Sequence, residues 1–302
     1  MIRLKNYHLS FSVIALVLLS GWMHAEVYYK EVRKSIPVNS DAKLELDVNF
    51  ADVHIETTNQ SQMEIVVKMD VTARDEKRAD EMFDNFQVNI SESRELVVLS
   101  VGTGSWSCNS KGKNSESYTV HVEVKMPLKA VLDGKCAFGD LRIGDMQGAC
   151  LVNVEYGEMH VNGLWSYEND LKIAFGNAYI TGTNGGNFEN EYGSLDITLL
   201  QGNAEIESSF GDLEIRRVAK ECKDLEVKIQ YADADIHLAL DAGFRFEANS
   251  SYGDIDLPSQ AKKTFSESDY TNKQMKGTIG NGEGKLDVEC DFGDIEIDVI
   301  PK

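Results

Sequence analysis

Positive charge is scarce in this chain. Its 302 residues carry 30 Lys and Arg against 50 Asp and Glu, a formal net charge of −20, which speaks against nucleic acid and anionic membrane surfaces as partners. The acid excess reads first as a solvated surface, with cations or basic ligands as its alternative use. Cysteine is scarce and odd in number, at Cys108, Cys136, Cys150, Cys222 and Cys290. These spacings match neither a metal motif nor a dense disulfide framework. Proline numbers only four. Catalytic signatures are missing too: there is no Gly-x-Ser-x-Gly elbow, no His-Glu-x-x-His and no Cys-His nucleophile pair. Gly280-Asn-Gly-Glu-Gly-Lys-Leu286 lacks the spacing and the following helix of a phosphate loop.

Long apolar runs are confined to the N-terminus. Arg3 and Lys5 precede Phe11-Ser-Val-Ile-Ala-Leu-Val-Leu-Leu19, which is too short to span a bilayer, and Ala25 offers a cleavage site. Residues 1–25 are therefore expected to be a cleavable secretory signal, with a retained N-terminal anchor as the alternative. No Cys follows the stretch to receive a lipid. The last strand runs to within two residues of Lys302, which is expected to leave no room for a C-terminal anchor or sorting domain.

What the chain does contain is one phrase repeated: an aromatic, Gly, an acid, then aliphatic, polar, aliphatic. Its clearest copies begin at Phe138, Phe210, Tyr252 and Phe292, and looser ones at Phe50, Tyr156, Phe175, Tyr192 and Tyr231. From Phe138 the steps are 18, 19, 17, 18, 21, 21 and 40 residues, the last roughly a double step. A period near 20 signals a repeat architecture. Apolar residues lie two and four places before each aromatic and three and five after it, as in Val288, Cys290, Phe292, Ile295 and Ile297. That is the two-residue period of a half-buried strand on either side of one phase slip.

The slip falls on Gly-acid, where Gly permits φ > 0 and Asp can bond nearby backbone. A two-residue hairpin or the bend of a solenoid coil would both satisfy it. Repetition favours the solenoid, whose successive aromatics would form an internal column. Cys136 and Cys290 share the inward face and are expected to behave as small buried hydrophobes.

Before the repeats, Lys43–Phe50, Val53–Ile55, Met63–Val71, Phe86–Ile90, Leu96–Val101 and Tyr118–Met126 alternate as strands. Arg74–Phe86 breaks that pattern, placing Ala79, Met82, Phe83 and Phe86 on one face of a helix. Residues 102–117 form a polar loop in which Trp106 and Cys108 stand out; packing back over a strand is expected ahead of ligand contact. Pro127 marks the boundary, giving a signal over 1–25, an N-terminal β-rich module with one helix over 26–127, and a repeat domain over 128–302. Pro258 to Lys276 is expected to loop out of the array and so to cause the double step.

The closing segment Gly277–Ile297, together with the upstream Phe/Tyr-Gly-Asp units, resembles the bacterial putative-adhesin families of β-strand repeats. These include the head domain of putative autotransporter adhesins. The chain departs from the usual pattern in carrying bulky aromatics where many relatives have Ser or Asn. The resemblance implies an exported β-solenoid.

Stacked coils would align Asp140, Glu158, Asn177, Ser194, Asp212, Asp233, Asp254 and Asp294 in one row, and Asp196, Glu214, Asp235 and Asp256 in another. Calcium could be held by such ladders, but the nonapeptide pattern of calcium β-rolls is absent, and turn formation explains the Asp better. His54, His160 and His237 are placed in one outward register, in units too far apart to share a metal. A lyase or hydrolase would use outer acids, with Arg142, Arg216 or Arg217 as base.

The expectation is thus an all-β protein, a β-solenoid preceded by a smaller β-rich module, exported to the periplasm or cell surface. It is non-enzymatic, with no catalytic, cofactor or metal residue and no cofactor assigned. Its partner is an unknown envelope protein or glycan, without nucleic acid and without membrane insertion once the signal is removed. The alternatives are a carbohydrate-active β-helix and a calcium-dependent surface module.

Overall fold

The computed structural model describes residues 26–103 and 116–301. The expected signal over residues 1–25, Trp106 and Cys108 lie outside them. Residues before each aromatic form one strand and those after it another. Val131–Ala137 and Leu141–Met146 flank Phe138, and Cys150–Glu155 and Met159–Leu164 flank Tyr156. Each strand pairs in parallel with its counterpart in the next coil: Val152 lies opposite Gly134 and Leu171, and Val161 opposite Ile143 and Ile180. A two-residue hairpin joins antiparallel strands, so these corners are not hairpins and the repeats are coils of a β-solenoid.

Two sheets result, of 13 and 12 strands among the described residues. One collects the strands before the aromatics and the other those after them. Their inner faces meet in one continuous core, in which Val152, Val154, Met159 and Val161 are typical members.

Lys43–Asn49 and Asp52–Thr58 form the first coil, pairing in parallel with Val131–Ala137 and Leu141–Met146. The boundary expected at Pro127 therefore crosses two continuous sheets, because the Phe50 copy of the phrase is already part of the solenoid. Glu26–Pro37, Gln62–Ala73 and Ser117–Pro127 extend one sheet beyond it, and Phe86–Glu92 and Leu96–Thr103 extend the other. The helix spans Glu76–Asp84. Asp75 caps it by accepting the Arg78 amide at 2.8 Å, and Ala79, Met82 and Phe83 are buried beneath it.

The far end departs from chain order. Gly284–Asp291 pairs with Asp224–Gln230 on one side and Phe244–Ser251 on the other. The Phe292 coil thus lies between the Tyr231 and Tyr252 coils, although it comes last in sequence. The expected loop from Pro258 to Lys276 is instead a hairpin, Lys262–Ser268 with Asn272–Ile279, laid along the outer edge of Phe244–Ser251. Lys262–Ser268 is exposed along its whole length, so it has no apolar face by which its sequence could declare a strand.

The corner glycines have a role other than the one expected. No Gly of an aromatic-Gly pair has positive φ; the preceding aromatic takes the left-handed conformation instead. A Cβ on Gly176 would drive into the carbonyl of Gly157 in the next coil, and one on Gly211 into that of Gly193. Gly is there for close approach. Ala takes the place in two coils, as Ala51 in the first and Ala232 further along; at Ala232 the ring spacing opens to 5.0 Å, the widest in the column. Gly176→Ala is accordingly expected to cost about 1–3 kcal/mol by overpacking, while Gly102→Ala, with nothing within 4 Å, should stay within ~0.5 kcal/mol. Urea unfolding midpoints would check the pair, and equal midpoints would refute the close-approach account.

Candidate functional site

Nine aromatics, Phe50, Phe138, Tyr156, Phe175, Tyr192, Phe210, Tyr231, Tyr252 and Phe292, carry φ between 56° and 62°. Along each strand the residues two and four places earlier point inward, so an extended backbone would bury the aromatic as well. The left-handed step swings it outward instead. All nine are 41–62% exposed. The internal column expected from sequence is therefore an external one.

The stacking itself is as expected. Eight ring pairs run in the spatial order Phe50, Phe138, Tyr156, Phe175, Tyr192, Phe210, Tyr231, Phe292, Tyr252, with centroids 4.8–5.0 Å apart and planes within 2–6°. Left-handed backbone costs a side-chain-bearing residue about 1–2 kcal/mol, whereas an aromatic pair gives about 0.5–1.5 kcal/mol beyond its burial. A lone corner would lose on that exchange. An interior ring with two neighbours roughly recovers it, so the ladder is stable only as a ladder.

The acids after Gly hold the corner from the other side. Asp140 Oδ1 accepts the Glu158 amide at 3.0 Å, Asp212 the Asp233 amide at 3.1 Å, Asp233 the Asp294 amide at 2.8 Å and Asp294 the Asp254 amide at 2.7 Å. Asn177 serves Ser194 likewise at 2.9 Å. Each side chain bonds the next coil, not its own turn, filling the gap that the bend leaves in the backbone ladder. Ser208 and Ser250, two places before the aromatic, donate to the carbonyls of Gly211 and Gly293 from inside. Cys136 and Cys290 lie in the same column, with their sulfurs 3.6 Å from the Gly139 oxygen and 3.4 Å from the Ala232 oxygen. Burial pushes these two thiols, and those of Cys150 and Cys222, up to about 12.

The remaining outward groups do not converge. His54, Arg142 and His160 are consecutive in one row, and the His160 ring stacks on Tyr179 at 4.9 Å. His237 is not in that row; it lies opposite Asp298 and contacts Asp235 at 3.3 Å. The second acid row runs Asp196, Glu214, Asp235, Glu296, Asp256, with Glu296 inserted by the interchange of coils. Arg216 bridges Asp196 and Glu214, and Arg142 lies 3.4 Å from Asp140. Among the described residues, no group of three or more His, Cys, Asp or Glu is arranged to hold a metal, and no helix is long and apolar enough to cross a membrane.

The model of the Toastrack DUF4097 family matches residues 42–298. Among solved structures, a putative adhesin from Parabacteroides distasonis shares 15% identity, covering 90% of this chain and 97% of that one at a TM-score of 0.43. A putative cell adhesion protein from Clostridium sporogenes shares 12%, covering 90% and 100% at 0.30. A structure described as a putative lipid binding protein, also from P. distasonis, shares 14%, covering 89% and 96% at 0.36. No curated protein matches the chain.

Two outcomes follow from this geometry. At Phe175, Asn should be tolerated better than Val despite being polar, because Asn enters left-handed backbone readily and a β-branched residue does not. Asn is expected to cost about 1–3 kcal/mol in lost stacking, and Val about 1–2 kcal/mol more; thermal melts reversing that order would contradict the strain account. Cys136, Cys150, Cys222 and Cys290 should resist alkylation at pH 8 in the native protein and react once it is unfolded, as read by peptide mass spectrometry. Fast native labelling of any of them would contradict their burial.

Proposed function

From the membership of this chain in the Toastrack DUF4097 family, we propose that it is an exported, non-enzymatic protein of the cell envelope whose aromatic ladder is its working surface. The observation that carries this reading is the size and setting of the ladder. Nine rings at about half exposure leave on the order of 900 Å² of apolar surface, in a strip about 40 Å long by coil spacing. The largest apolar patch on an ordinary monomer is about 300–600 Å², and larger ones mark interaction sites. Left-handed backbone held at nine consecutive corners points the same way, since strained conformations gather where a surface is put to use.

On the outer sheet faces several Lys are paired with neighbouring acids. Lys228 contacts Glu205, Glu207 and Glu226, and Lys43 contacts Glu45 and Asp133. The partner that the ladder would meet in this setting is an envelope protein or a glycan. The lyase or hydrolase alternative has less behind it: Asp140, Asp212, Asp233 and Asp294 at the corners accept neighbouring amides, and Arg142 and Arg216 are ion-paired.

Protease shaving of intact cells followed by fractionation tests the reading. An envelope fraction from which shaving removes the chain is the expected result and supports adhesion. Protection in intact cells, with release on permeabilising the outer layer, would replace adhesion by periplasmic scaffolding. Recovery from the cytoplasm would overturn export and with it the proposal.

A further inference from the structure

In space, though not in sequence, the ladder alternates. From Phe138 onward it reads Phe, Tyr, Phe, Tyr, Phe, Tyr, Phe, Tyr, because the Phe292 ring is inserted between Tyr231 and Tyr252. The row of residues just before the rings alternates as well. Across the paired strands it runs Ala137, Glu155, Ala174, Glu191, Ser209, Gln230, small beside each Phe and long with a carboxyl or amide oxygen beside each Tyr. Asp291 and Ser251 reverse that order in the last two coils. A shallow notch opens over Ala137 between Asn49 and Glu155. Two independent rows therefore share a period of two coils, roughly 10 Å.

The hydroxyls of Tyr156, Tyr192 and Tyr231 have no hydrogen-bond partner among the described residues. Each belongs to a half-exposed ring of an apolar strip, and the residue before it in the chain is Glu155, Glu191 or Gln230. Stability does not call for this arrangement, since Phe at every rung would stack as well. Four kinds of polymer could lie along such a strip, and the period separates them. An extended peptide repeats every two residues, about 6.6–6.8 Å, and falls out of step within a few coils. Nucleic acid is repelled by a chain of charge −20, as is any polyanion. A second copy of this chain has the right period but the same charge. A neutral β-1,4-linked glycan in extended form turns over with each sugar, so its like groups recur on one side once per disaccharide, at about two strand spacings.

We infer that the ladder is a binding track for a neutral, unbranched, extended β-1,4-linked glycan. Sugar CH groups lie along the ring edges, and the Tyr hydroxyls with Glu155, Glu191 and Gln230 bond the hydroxyls of every second sugar. Ring faces are covered by their neighbours, so recognition is by edges and by the spaced polar groups. This assignment rests on the ladder being the working surface, and it is tested on purified protein, where cellular location plays no part.

Titration calorimetry with cello- and chito-hexaose, dextran and polygalacturonate is the direct experiment. At least one of the two β-1,4-linked hexamers should bind, and the α-1,6-linked dextran and the polyanion should not. The triple variant Tyr156→Phe, Tyr192→Phe, Tyr231→Phe keeps every ring, so circular dichroism should confirm an unchanged fold. Its affinity should fall roughly tenfold or more, as expected for three lost hydrogen bonds. Phe175→Tyr, which breaks the alternation and adds a hydroxyl, should not strengthen binding. Failure of both hexamers to bind, equal binding of dextran, or unchanged affinity in the triple variant would each overturn the inference. If shaving had meanwhile placed the protein on the surface, the display reading would stand without it.

Discussion

The corner at which each coil passes from one sheet to the other is the constraint on which the rest depends. Two coils must come within about 4.8 Å of each other there, closer than a Cβ on the second corner residue allows in most coils, while the chain turns too sharply for right-handed or extended backbone. Gly meets the first demand and a left-handed aromatic the second. Neither would be economical alone. The left-handed residue is strained and recovers that strain only through the ring above and the ring below, so the phrase is worth having only when it is repeated. The acid completes the corner, because bending the chain leaves an amide without its sheet partner and the Asp of the adjacent coil supplies the acceptor.

Much of this was legible in the residues. The period, the inward alternation through Val288, Cys290, Ile295 and Ile297, the stacked rings and a helix within 74–86 all follow from spacing and polarity, although Phe86 opens the next strand and is not on the helix. The family resemblance drawn from Gly277–Ile297 and the Phe/Tyr-Gly-Asp units is the family found. What spacing could not settle was which residue absorbs the phase slip. Gly is the usual occupant of left-handed backbone, so sequence assigns the turn to Gly and the aromatic to the interior. Phe138 and Gly139 do the reverse, because the steric demand on Gly comes from Ala51 in another coil, a neighbour that local pattern does not contain.

The order of the last coils was hidden for a related reason. Sequence lists Tyr252 before Phe292, and only pairing partners reveal that Gly284–Asp291 enters between strands formed earlier in the chain. Asp224 and Lys285 at this end, like Lys43 and Val131 at the other, are register partners despite the long stretch between them, so both ends carry longer-range contacts than the middle coils. Closing long loops before such contacts form is slow. The hairpin of Lys262–Ser268 and Asn272–Ile279 extends the sheet edge that Phe244–Ser251 would otherwise present. The Lys side chains and full exposure of Lys262–Ser268 are what a safe edge strand needs.

That interchange also bears on how the surface is organised. Had the coils followed sequence, Tyr231 and Tyr252 would be adjacent and the alternation of the ladder would end there. Insertion of the Phe292 coil carries it to the last rung, and the same insertion places Glu296 between Asp235 and Asp256 in the outer acid row. One topological event thus lengthens an apolar edge with spaced hydroxyls and concentrates carboxylates on the adjoining sheet. Salt bridges of the kind made by Lys228 are exposed and contribute little to stability, so the charge on these faces serves chiefly solubility and exclusion of polyanions. The contact surface proposed for this chain is a strip of rings that carries little charge of its own. In this fold the sheets set the spacing of the rings and the corners set what the edge exposes, so the regularity of that edge comes from the coil repeat itself.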